Sequence, residues 1–143
     1  TTGGHVLLIG PRTRFSIASV SKKQSSVSTS TAEAELTALM FVVRNFVLPS
    51  ALLWDTILQR AVTINVFKDN RSVLYIVVSG RNRTMRHFER THRIAVAWLH
   101  EVYVRQQAIK WFYAKSTEMI ADIFTKPLGT EKFRKHRSRL GIE

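Results

Sequence analysis

The spacing of apolar and polar positions changes period several times along the chain. His5–Ile9 is a short apolar run closed by Gly10-Pro11, a turn dipeptide. Phe15, Ile17 and Ser19 alternate with Ser16, Ala18 and Val20, which predicts a strand, and Ser21-Lys22-Lys23-Gln24 predicts a polar turn before a third short strand over residues 25–29. The period then becomes helical. Leu36, Leu39, Met40, Val43 and Val47 follow the i, i+3, i+4, i+7 spacing of one helix face, with Ser30 and Glu33 at capping-box spacing ahead of them and Pro49 as the expected stop. A shorter helix is expected over residues 50–59. Val62, Ile64 and Val66 alternate as a strand that runs into Lys68-Asp69-Asn70, where Asn70 can cap a helix over residues 71–79 that Gly80 ends. Beyond a basic loop, Ile94, Trp98 and Val102 share one helix face, and Ile109, Trp111 and Tyr113 alternate as a last strand. Helices are expected over residues 117–126, stopped by Pro127, and 130–140, closed by Gly141. An antiparallel opening followed by βα units predicts an α/β chain of the α+β type, with a mixed sheet flanked by helices.

Composition narrows the class. A chain of 143 residues suits one domain with a single core. Its uninterrupted apolar runs, such as residues 38–43 and 73–78, are far shorter than the roughly 20 residues of a membrane helix, so no membrane partner is expected. No basic segment precedes His5–Ile9, so nothing reads as a secretion signal, and the lack of cysteine excludes disulfides and thiolate metal sites. An intracellular protein is the expectation. Charge changes the picture most: 22 Lys and Arg against 10 Asp and Glu give a net charge of +12, a footprint for a polyanion, of which nucleic acid is the commonest.

With so few acids, each can be weighed alone. Asp69 ends an apolar strand just before a helix, where α/β sheets bind ligands, though a simple capping role is open to it. Glu35 lies in the first turns of its helix, where an acid also complements the dipole. Asp122 is flanked by Ile120, Ala121, Ile123 and Phe124; it must either turn to solvent or meet a cation or hydrogen-bond donors. Together, three carboxylates from separate elements have a common use. They can hold two divalent cations about 3.5–4 Å apart, and Mg²⁺ or Mn²⁺ prefers such oxygen ligands.

Four segments then stand in one order: Ser21-Lys22-Lys23-Gln24, Ser30-Thr31-Ala32-Glu33-Ala34-Glu35-Leu36, Asp69-Asn70-Arg71-Ser72, and Ile120-Ala121-Asp122-Ile123-Phe124-Thr125-Lys126-Pro127-Leu128. They resemble the successive motifs SKKQ, S-T-E-A-E, C-D-N-x-S and A-D-I-F-T-K-P-L of the ribonuclease H domain in copia-type (Ty1/copia) retrotransposon polyproteins. The similarity covers nearly the whole chain. It implies a single ribonuclease H-like domain over residues 1–143, with a hairpin region at 1–29, a catalytic core at 30–128 and a basic C-terminal helix at 129–143. It also implies two-metal hydrolysis of the RNA strand of an RNA–DNA hybrid, with two Mg²⁺ (or Mn²⁺) ions, a reverse transcriptase domain upstream in the same polyprotein, and a place in a cytoplasmic virus-like particle or the nucleus. By the same resemblance Glu35, Asp69 and Asp122 are the catalytic and metal-binding acids, Glu35 being preferred to Glu33 by the residues that follow it. Ser30, Thr31 and Asn70 approach the backbone of the hybrid.

The sequence departs from the family pattern in several places. The family has a fourth acid on an opening strand ahead of a Thr/Ser-Ser-Gly-Tyr-like motif; here Thr2-Gly3-Gly4-His5 resembles that motif, and no Asp or Glu occurs before Glu33. The expectation is an N-terminally truncated domain that lacks its first, central strand of a five-stranded sheet ordered 3-2-1-4-5, with two strand edges left unpaired. An inactive, basic nucleic-acid-binding remnant is the alternative reading. Lys68 stands where Cys is common before the aspartate, and His92 is a counterpart of uncertain register. Arg81, Arg83, Arg86, Arg90 and Arg93 form one basic cluster, expected to touch substrate phosphates; Lys22 and Lys23 form a second, and Lys132, Arg134, Lys135, Arg137 and Arg139 a third, which suits a solvated face or a tether. Trp98, Trp111 and Phe112 are expected in the core.

Overall fold

The computed structural model describes residues 2–9, 12–24, 27, 28, 30–81, 96–104 and 107–142. The chain divides into two compact units: one made of residues 1–25 and 115–143, the other of residues 26–114. The class is mixed α/β with small sheets. Among the described residues the strands form two separate two-stranded sheets, where the resemblance implies a five-stranded sheet that lacks its central strand.

In the first unit, strands β1 (Thr2–Ile9) and β2 (Arg14–Lys22) pair antiparallel with an irregularity between Val6 and Leu7. The hairpin is longer than the apolar runs suggest, because backbone pairing continues through Gly3 and Gly4 opposite Ser21 and Val20. Val27 and Ser28 carry no strand, and residues 25, 26 and 29 of the expected third strand lie outside the described residues. The expected helix over 117–126 is reduced to a 3₁₀ turn, Ile120–Phe124. That turn lies so close to β1 that a Cβ on Gly3 would sit 2.2 Å from Thr125 Cγ2. The Ser21 hydroxyl donates to the Phe124 carbonyl at 2.6 Å, and the His5 and Phe124 rings stack with centroids 5.7 Å apart.

In the second unit, α1 (Thr31–Val42) starts on Ser30, whose Oγ accepts the Glu33 N–H at 3.2 Å. Pro49 does not stop this helix. Residues Val43–Val47 widen into a π turn and α2 (Leu48–Leu58) follows directly, with Pro49 in its first turn. Proline has no N–H to donate and its ring crowds the carbonyl four residues back; an i→i−5 turn, here Leu48 N–H to Val43 O, accommodates both problems without a break. The run Thr31–Leu58 is thereby 28 residues long and, by length and composition alone, apolar enough to cross a membrane, unlike any of the uninterrupted apolar runs of the sequence. One of its faces is buried: Leu36, Leu39, Met40, Val43 and Val47 form the core with Val73, Ile76 and Val77 of α3 (Arg71–Ser79), Leu99 and Val102 of α4 (Val96–Val104), and Ile109.

Strands β3 (Ile64–Lys68) and β4 (Ile109–Tyr113) pair in parallel, Ile64 opposite Ile109 and Phe67 opposite Phe112. Their alternation sorts the two faces. Ile64, Val66 and Trp111 pack against the core, as does Trp98, while Phe67 and Phe112 stack on each other on the opposite face with centroids 5.3 Å apart. Phe112 is therefore exposed, not in the core, because it lies one residue out of phase with Trp111.

Candidate active site

The C-terminal end of β3 carries three consecutive residues with separate tasks. Lys68 shares the core-facing side of the strand with Ile64 and Val66, so its side chain is directed toward the helices and is largely buried. Asp69 follows as the strand ends. Asn70 caps α3, its Oδ1 accepting the Val73 N–H at 3.2 Å. A main-chain bond from Ala114 N–H to Lys68 O, 3.0 Å, ties this corner to the end of β4, and the Arg71 guanidinium lies over the Tyr113 ring at 4.4 Å.

Glu35 reaches the same corner from the second turn of α1. Its Oε2 accepts from Lys68 Nζ, forming an ion pair across 33 positions of sequence. Lys68 Nζ is also 3.9 Å from Asp69 Oδ1. Two of the three expected acids thus meet around one ammonium, each half-buried. Glu33, the neighbour that the resemblance passes over, is 2 % exposed. Sequence reading noted Lys68 only as a departure from the motif; its alternation in phase with Ile64 and Val66 was the signal that it turns inward.

Asp122 belongs to the other unit, at the start of the 3₁₀ turn. It is buried, and of the two alternatives open to it the one realised is a pairing with cations: Oδ1 meets Lys126 Nζ at 2.8 Å and Oδ2 meets Lys132 Nζ at 3.2 Å. Lys132 extends from α5 (Thr130–Arg139) and also donates to the Ser116 carbonyl at 3.3 Å. On the same helix His136 is fully buried, and among the described residues neither ring nitrogen has a hydrogen-bond partner. Burial holds its pKa below the ordinary value, helped by the positive charge of Lys132 and Arg139 and opposed by Asp122. Sequence reasoning missed this histidine. The available signal was its i, i+4 spacing to Leu140, which is buried too.

Among the described residues, no group of three or more His, Asp or Glu lies close enough together to hold a metal ion. The residues expected to approach a nucleic-acid backbone are distributed as follows. Ser30 and Asn70 serve as helix caps, and Thr31 is exposed at the first position of α1. Lys22 and Lys23 are exposed at and just beyond the end of β2, and Arg81 is exposed after α3. Arg83, Arg86, Arg90, His92 and Arg93 lie outside the described residues. No family model matches the sequence, and no solved structure matches the fold.

Proposed function

We propose that this chain is a ribonuclease H-type domain of a copia-type retrotransposon polyprotein, with a ribonuclease H-like fold and an RNA–DNA hybrid as its substrate. Hydrolysis of the RNA strand during reverse transcription is its reaction, an upstream reverse transcriptase its covalent partner, and an intracellular particle or the nucleus its location. The observation that carries the reading is the meeting of Glu35 and Asp69, which belong to two of the four ordered motifs, at the C-terminal end of a parallel strand. Carboxylates at that position suit phosphodiester chemistry. The net charge of +12 supplies the attraction for a polyanion, and it does so without regard to base sequence.

The pair of divalent ions that the resemblance implies, Mg²⁺ or Mn²⁺, would supply an activated water and stabilise the leaving oxygen. Such a pair does not fit the described arrangement, in which the Lys68 ammonium pairs with Glu35 and stands 3.9 Å from Asp69, so that part of their negative charge is already offset. That observation favours a second reading, a basic nucleic-acid-binding remnant without hydrolytic activity.

A labelled RNA–DNA hybrid incubated with the chain and MgCl₂ or MnCl₂ distinguishes the two. The expected outcome is salt-sensitive binding with weak cleavage of the RNA strand, lost in Asp69→Asn while binding is retained. Cleavage that survives Asp69→Asn removes Asp69 from the site. Binding without any cleavage, in the natural chain and in Lys68→Met alike, carries the second reading, and absence of hybrid binding overturns both.

A further inference from the structure

The ammonium of Lys68 occupies the place where a cation would join Glu35 to Asp69. Three features hold it there. The strand register turns Lys68 toward the helices on the side of Ile64 and Val66, so its direction is fixed by backbone pairing with β4 and not by the side chain alone. The side chain retains 17 % of its exposure, and Asp69 retains the same fraction, so water screens the contact less than at an open surface. Glu35 is presented by a helix anchored in the core through its neighbours Leu36 and Leu39. A lysine ammonium is a compact point charge; here it donates to Glu35 Oε2 and stands 3.9 Å from Asp69 Oδ1.

We infer that Lys68 is a built-in counter-cation that closes the Glu35–Asp69 pair to divalent metal ions. The inference rests on reading those two acids as the site of the proposed hydrolysis, and it names what regulates that site. A divalent ion entering between the carboxylates must displace the ammonium or bind beside it against like-charge repulsion. At contact distances that repulsion, even when partly screened, is enough to weaken divalent binding by about tenfold or more. Hybrid binding through the basic surface does not depend on the pair, so the chain can hold its substrate while Lys68 stays between the acids.

The test is a Mn²⁺ titration of the whole chain, followed by the electron paramagnetic resonance signal of free Mn²⁺. Lys68→Met keeps the aliphatic stem and removes the charge; Lys68→Arg keeps the charge. The natural chain and Lys68→Arg are expected to bind Mn²⁺ weakly, Lys68→Met at least about tenfold more tightly, and Lys68→Met combined with Glu35→Gln weakly again. Equal affinity of the natural chain and a Lys68→Met variant with unchanged circular dichroism overturns the inference. A measurement on the natural chain alone serves if that variant does not fold. Millimolar MnCl₂ should leave its thermal midpoint unmoved, and a stabilising shift that Glu35→Gln abolishes overturns the inference equally. Fluorescence anisotropy with a labelled hybrid keeps the two ideas apart: loss of hybrid binding sinks the nucleic-acid reading, while the Mn²⁺ comparison stands or falls separately.

Discussion

His136 is fully buried, and its position makes the stability of its unit expected to depend on pH. A neutral imidazole tolerates burial far better than an imidazolium, and around this ring Lys132, Lys135 and Arg139 oppose protonation while Asp122 alone favours it. The folded-state pKa is therefore below the ordinary 6.5 of the unfolded chain. Above 6.5 neither state is protonated at this site and the contribution is constant. As pH falls through 6.5, the unfolded chain takes up a proton that the folded chain refuses, so stability drops until the folded pKa is reached. The urea midpoint should accordingly be flat between pH 7.5 and 8.5 and decline between pH 7 and 5.5. His136→Leu, which fills the same space without a titratable group, should flatten that decline. An equal slope in natural chain and variant would show that His136 is not its source.

At the scale of elements, both ends of α3 are written locally. Asn70 accepts the Val73 N–H at the start, and Gly80 closes the helix at φ 66°, a conformation that costs other residues about 1–2 kcal/mol. A Cβ on Gly80 would also stand 2.8 Å from His100 Cγ, whose ring is held by its Nδ1 contact to Val77 O at 3.2 Å. Gly80→Ala should therefore lower stability by at least about 1 kcal/mol, read as a lower urea midpoint at unchanged slope. An unchanged midpoint would contradict this account, because the cost of φ 66° remains even if the ring moves aside. Asn70→Ala should cost about 1 kcal/mol through the lost cap. These ends were legible because a cap depends on two or three adjacent residues. Strands β3 and β4 were legible because alternation of period two reports a sheet with one covered face. The continuation of α1 through Pro49 was not, since a π turn leaves no mark in apolar spacing that differs from an α-helix. The ten residues before Pro127 misled for a similar reason: Ile120, Ile123 and Phe124 satisfy a helical pattern, yet Asp122 O is approached by the N–H groups of both Thr125 and Lys126 in a single tight turn. For the site, the motifs pointed to Glu35, Asp69 and Asp122, of which the last lies in the other unit. The contact between Lys68 and Glu35 joins positions 33 apart and depends on which face of β3 Lys68 occupies, which only the fold decides.

For the whole molecule, the governing quantity is an excess of positive charge that internal pairing does not consume. Lys68, Lys126 and Lys132 are engaged with carboxylates, and Arg139 lies 3.8 Å from Glu118. With 22 basic residues against 10 acidic ones, most of the positive charge has no acid to match it. Lys22 and Lys23 are exposed at and just beyond the end of β2, in the unit that holds Asp122, where a phosphate backbone can reach them. Each phosphate contact releases condensed counterions, so affinity should fall linearly with salt on logarithmic axes, by about 0.9 of a unit of slope per contact on duplex and about 0.7 on single strands. Replacing Lys22 and Lys23 together by Gln should reduce that slope by about 2 and weaken binding to all sequences alike. A slope unchanged by the double substitution would remove this patch from the interface. Binding to the same residues that weakened for one base sequence and not another would contradict a contact made to phosphate alone. Because these lysines belong to a different compact unit from Glu35, Lys68 and Asp69, their substitution should leave the response to Mn²⁺ unchanged, which makes the two proposed roles separable by experiment: a surface charge proposed to gather polyanion, and an inward charge proposed to keep divalent cations from the acids.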